Sequence, residues 1–161
     1  MDIYTSYPSN TYKRNGEHIL ISLTYLAKHT DENTGLGLMR ELEQWRRYLN
    51  EMGIVSILVI NDGYFIQNFQ GPRPEVNKAL SRIVSDYPQI SPQVVEVKEI
   101  DECQWNGYLI RHLTTSVEDE EHTLKYFSAG HDFNPYMMSN AQIDGFLNAV
   151  FKDKKSQGSV R

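Results

Sequence analysis

Residues 54–69 constrain the architecture of this chain more than any other stretch. Residues 54–60 (IVSILVI) form a near-continuous apolar run rich in β-branched side chains, Asn61-Asp62-Gly63 follows, and residues 64–69 (YFIQNF) resume the hydrophobic pattern. Turn formers between two such runs predict a β-hairpin, and the continuity of the first run makes these the two central antiparallel strands of a sheet. Gly71-Pro72-Arg73-Pro74 closes the hairpin. Within it, strand alternation places Phe65, Gln67 and Phe69 on one face. A lone amide between two phenylalanines is expected to be buried and must find partners for both its donor and its acceptor. Backbone or ordered water can satisfy such a group. The other reading is that a specific polar partner waits there.

The remaining elements fall around this hairpin. Ile19, Ile21, Leu23 and Tyr25 alternate with Leu20, Ser22, Thr24 and Leu26, the pattern of a strand. Residues 31–35 form a loop into a helix. Leu38, Leu42, Trp45 and Leu49 recur at i, i+4, i+7 and i+11, so that helix carries one apolar stripe, and it stops near Gly53. Val76, Leu80, Ile83 and Val84 mark a second amphipathic helix. Strands are expected from Val94 to Ile100 and from Tyr108 to Leu113. The order is β-α-β-β-α-β-β. One mixed sheet with both helices on one face buries both stripes, an α+β sandwich of ferredoxin-like type. Residues 1–17, polar and tyrosine-rich, read as a flexible leader before a domain at 18–116. Residues 117–155 are expected to add two helices separated by residues 131–136, the second with Ile143, Phe146, Leu147 and Val150 apolar, before a tail at 156–161.

Charge and composition exclude several functions. The net charge is −5, and the basic residues do not gather into a stripe that would neutralise phosphates, which argues against nucleic acid. No run of about 18 apolar residues suggests a membrane span, and the N-terminus lacks a basic-plus-apolar signal, so a cytoplasmic protein is expected. The one cysteine, Cys103, leaves no internal disulfide. His18, His29, His112, His122 and His131 show no metal-ligand spacing. The acidic run at 118–121 reads as a helix start, where negative charge is favourable. A ferredoxin-like sandwich can host acylphosphatase chemistry, and Gln70-Gly71 with Arg73 suggests an oxyanion loop. Here that loop follows the hairpin rather than the first strand, and no asparagine is placed to orient water. No enzymatic activity is expected.

Several separated segments carry a family resemblance: residues 20–25 (LISLTY), Gly53-Ile54, residues 62–67 (DGYFIQ) with Gln70-Gly71-Pro72, and Arg82-Ile83-Val84 with Asp86. Together they resemble the BLUF domain, a family of flavin-binding blue-light sensors with this element order. Leu124-Lys125-Tyr126 followed by a helix is similar to the extension of short, stand-alone members. The resemblance implies a flavin, FAD or FMN, between the two helices of the sandwich. It places Tyr25 at the photoactive tyrosine and Gln67 at the switching glutamine, whose amide can bridge a phenol and the flavin edge in more than one arrangement. Arg82 and Asp86 match positions near the flavin tail; read alone, they are an i, i+4 surface ion pair.

The departures are equally specific. Where the family holds the polar edge of the flavin ring with asparagines, this chain has Tyr48 and Leu49; Asn50 is one residue off, a rotation of about 100°. A serine usual just after the tyrosine is replaced in Tyr25-Leu26-Ala27. The mobile tryptophan and methionine that relay the signal align with Tyr108 and Ile110, and Trp105 lies three residues earlier. Two readings follow: a photosensor with an altered pocket that signals by protein–protein interaction, or a BLUF scaffold without flavin that acts as an interaction module. Tyr126, Phe127, Phe133, Tyr136, Met137, Met138, Phe146 and Phe151 either cover the open face of the sheet or build a surface for a homo-oligomer or a protein partner.

Overall fold

The computed structural model describes residues 3–6, 19–28, 36–60, 63–112 and 134–159. Six strands, β1 (Ile3–Ser6), β2 (Leu20–Lys28), β3 (Val55–Ile60), β4 (Tyr64–Pro72), β5 (Gln93–Ile100) and β6 (Gly107–His112), form one mixed sheet in the order β1-β6-β3-β4-β2-β5. The β3–β4 hairpin lies at its centre, as its pattern requires. β3 and β6 run parallel; the other pairs are antiparallel. The helices are α1 (Leu36–Glu51), α2 (Arg73–Asp86) and α3 (Asn140–Ser159).

Helices α1 and α2 share one face, with α1 over β3 and α2 over β4 and β2. Leu42 and Leu49 of α1 and Val76, Ala79 and Ile83 of α2 are buried, as the periodicity of each stripe predicts, while Val84, expected on the α2 stripe, is exposed. Helix α1 ends in a Schellman motif: Gly53 takes φ 71°, its N–H donates to the Asn50 carbonyl at 3.1 Å, and the Ile54 N–H donates to the Leu49 carbonyl at 2.9 Å. The apolar pair that normally meets across this motif is Leu49 and Ile54, and both are fully buried.

Two expectations are corrected. The leader contains a strand: Ile3–Ser6 pairs with β6, Ile3 opposite Ile110 and Ser6 opposite Gly107. Its alternation is too short to stand out in sequence, and the pairing partner lies over a hundred residues away. The expected polar tail continues as helix, because α3 runs to Ser159. The first of the two expected C-terminal helices, with Tyr126 and Phe127, and Phe133 after it fall outside the described residues. α3 covers the other face of the sheet: Phe151 packs on Trp105 with centroids 5.1 Å apart, and Ile143, Phe146, Leu147 and Val150 are buried. Much of the C-terminal apolar content is therefore core, while Met137 is exposed.

Candidate functional site

Tyr25 and Gln67 sit directly opposite each other on neighbouring strands β2 and β4, so their side chains leave the same face side by side. The Tyr25 hydroxyl donates to Gln67 Oε1 at 2.5 Å, and Gln67 Nε2 donates to Ser56 Oγ on β3 at 3.0 Å. Tyr25 is 3% exposed, Gln67 5% and Ser56 0%. The lone amide thus has a side-chain partner at each end. Phe69, next on this face of β4, packs its ring 5.9 Å from Tyr25.

Burial drives the electrostatics here. Removal from water pushes the Tyr25 phenol well above its ordinary range, and nearby Tyr87 at the end of α2 adds to the effect. The phenol is therefore a neutral hydrogen-bond donor across the physiological range. Tyr87 also places this face of β2 on the α2 side of the sheet.

Above this dyad, α1 and α2 meet through long side chains. Trp45 Nε1 donates to the Tyr87 hydroxyl at 3.2 Å, and Trp45 and Tyr48 contact edge to face at 5.5 Å. The Arg82 guanidinium lies 4.4 Å from the Tyr48 ring centre and 5.5 Å from that of Trp45, and pairs with Asp86 at 3.4 Å. Arg82 and Asp86 are exposed, so their ion pair by itself contributes little. Leu49 is fully buried at the helix end. Asn50 Oδ1 is buried and has no hydrogen-bond partner among the described residues.

The structure separates Trp105 from the two residues matched to the relay. Tyr108 and Ile110 are buried on the Tyr25 face of β6, in register with Ser56 and Leu58 of β3. Trp105 lies on the opposite face, where its Nε1 donates to Asn68 Oδ1 at 2.7 Å. That face holds a polar cluster that sequence reading passed over. Asn68 Nδ2 donates to Ser22 Oγ and Thr24 Oγ1, both at 2.8 Å, and Gln70 Oε1 accepts from the Gln104 backbone N–H at 2.6 Å. The period-2 pattern of β2 and β4 could have shown it, since Ser22, Thr24, Asn68 and Gln70 all fall on one side. Ser56 was hidden inside an apolar run. Among the described residues no group of His, Cys, Asp and Glu could hold a metal ion, and no helix is long and apolar enough to cross a membrane.

No curated protein matches the chain in sequence. Among solved structures, the photo-activated state of BlsA superposes with TM-score 0.62 at 20% identity, covering 81% of this chain and 93% of that one. The dark state of BlrB, a BLUF protein, gives TM-score 0.60 at 20% identity, with 84% and 98% covered. The BLUF domain of BlrP1, a Klebsiella pneumoniae protein, gives 0.57 at 22%, with 86% and 94% covered. At these identities the likeness establishes the fold alone. The family model for BLUF, sensors of blue light using FAD, matches residues 20–110, which run from the first residue of β2 into β6. By that match, over more than half its length, this chain belongs to the BLUF family.

Proposed function

We propose that this protein is a flavin-binding blue-light sensor in which Tyr25 and Gln67 form the switch. The observation that carries this reading is the buried bond from the Tyr25 hydroxyl to Gln67 Oε1, with the amide nitrogen turned to Ser56. A phenol and an amide held together out of water form a hydrogen-bond network with more than one satisfied arrangement. A hydrocarbon residue would serve a purely structural core better at position 67.

The residues present fit a flavin in part. Tyr25 and Gln67 supply a donor and an amide on the face shared by α1 and α2, and Arg82 with Asp86 would lie toward the cofactor's tail. The rim does not fit in the usual way, because Leu49 is fully buried hydrocarbon and the Tyr48 ring is covered by Arg82. Each missing neutral hydrogen bond weakens affinity by about 0.5–1.5 kcal/mol. When bound, flavin supplies blue-light absorption and accepts an electron. The chain's part is to exclude water, to keep Tyr25 protonated and to hold the Gln67 amide in place. We read output as protein–protein interaction by a cytoplasmic protein that carries no enzymatic step.

A second reading is favoured by the same rim: an interaction module without flavin, with Trp45, Tyr48, Arg82 and Tyr87 packed on one another between α1 and α2. Absorption spectra after incubation with excess FAD, in darkness and after blue light, decide between them. A bound-flavin spectrum that shifts reversibly to the red, and loses that shift in Gln67→Leu and Tyr25→Phe, is expected. Absence of flavin from both the wild type and Leu49→Asn would leave the interaction module.

A further inference from the structure

Ser56 is the one polar residue in the run 54–60, and it is fully buried between strands β4 and β6. A hydroxyl in such a place costs stability unless it is used. Its use is visible: Gln67 lies opposite Leu58 on β3, so Ser56 is its diagonal neighbour, and the long amide side chain reaches across to donate to Ser56 Oγ at 3.0 Å. The hydrogen-bonded chain Tyr25–Gln67–Ser56 therefore crosses three adjacent strands.

We propose that Ser56 is a positioning residue of the switch, holding the far end of the Gln67 amide in each of its two orientations. In the observed arrangement the phenol donates to Oε1, so the far end of the amide is Nε2 and needs an acceptor. With the amide turned over, Nε2 faces the phenol oxygen and the far end is Oε1, which needs a donor. A hydroxyl does both, since it carries one O–H and two lone pairs. In the flavin-free protein an aliphatic side chain at 56 would leave the far end unpaired in either orientation, at a buried site where an unmade bond is costly. In the parallel register Ser56 also stands beside Tyr108 of β6, so the chain points toward the residues matched to the relay.

This deepens the sensor reading and rests on it only for its light-dependent half. The test uses the full chain with Ser56→Ala, Ser56→Cys and Ser56→Thr. Cysteine fills the volume but bonds weakly, and threonine keeps the hydroxyl. The first readout needs no flavin: the side-chain amide resonances of Gln67, identified by their loss in Gln67→Leu, and their hydrogen exchange. Exchange roughly three- to tenfold faster in both the Ala and Cys variants, with Thr like the wild type, is the expected result, the equivalent of one lost hydrogen bond. Cys behaving as the wild type would mean that Ser56 only fills space, and unchanged exchange in all three would remove it from the chain; either outcome overturns the proposal. The second readout, in flavin-loaded protein, is the dark recovery rate of the red shift, expected to change in the Ala and Cys variants and be restored by Thr. Altered amide exchange without a photoshift in the wild type would refute the sensor reading while leaving the positioning role standing.

Discussion

At the scale of single residues, burial decides what the chemistry can be. Tyr25 is ordinary in sequence, yet burial raises its ionisation far above the usual 10.0. The sign of the pH effect follows. Below pH 10 the phenol is protonated in both the folded and unfolded chain and stability is independent of it. Above pH 10 the unfolded chain loses the proton first, so it binds fewer protons and stability falls as pH rises toward the folded value. Chemical denaturation at pH 8 and pH 11 should show this loss, and Tyr25→Phe should reduce it. At pH 8 the same variant should cost about 1–3 kcal/mol, because Gln67 Oε1 loses its donor in a buried site. Cys103 is a second case. Partial burial, reinforced by Glu102, pushes its thiol up to about 11 from 9.0, so its thiolate fraction at pH 8 is roughly a hundredfold below that of an ordinary thiol. Alkylation with iodoacetamide at pH 8 should be slowed in proportion and reach the normal rate on unfolding.

At the scale of elements, caps and pairings explain residues that sequence alone leaves ambiguous. Leu49 breaks the expected flavin rim, and the reason is local: it is the apolar partner of Ile54 in the motif that ends α1. Leu49→Asn should therefore increase flavin retention while destabilising the flavin-free protein by about 2–4 kcal/mol, measured by denaturant midpoints with and without FAD. A destabilised variant with no gain in retention would mean that the rim amide is not what limits binding. Gly107 is explained by β1, since a Cβ there would run into the Thr5 carbonyl. Gly107→Ala should release β1, seen as fast backbone exchange at residues 3–6. The β2–β5 pairing is irregular beside Tyr25, where Thr24 pairs with Glu96 but Tyr25 with Val94. The Val95 carbonyl at this bulge accepts from Asn140 Nδ2 at 3.0 Å, so the first residue of α3 is tied to the strand next to the switch. On the same side, Trp105→Phe leaves Asn68 Oδ1 buried without its indole donor and should cost about 1–3 kcal/mol in thermal or denaturant unfolding.

At the scale of the whole molecule, the sheet is a shared wall, with the Tyr25–Gln67–Ser56 chain under α1 and α2 on one side and the Asn68–Trp105 cluster under α3 on the other. Gln67 and Asn68 are consecutive, so the two networks hang from one strand. Deleting residues 117–161 removes α3 and uncovers Trp105 and the apolar side of β3, β4 and β6. The expected outcome is loss of cooperative unfolding, beyond any change in oligomeric state, checked by calorimetry and light scattering. Much of this architecture was legible from periodicity. The central hairpin, the two amphipathic helices and the burial of Gln67 between phenylalanines all follow from alternation at two or 3.6 residues, a local property that neighbouring residues carry in full. The sequence by itself determined the sheet's central strands, the helix faces and the identity of the Tyr25 and Gln67 candidates. Only the tertiary structure decided that Ser56 completes their chain, that Trp105 lies on the far face, and that the N-terminal strand closes the sheet against β6. Those contacts join residues distant in sequence, and which strand lies beside which is set by the packing of the whole sheet, not by the pattern within any one strand.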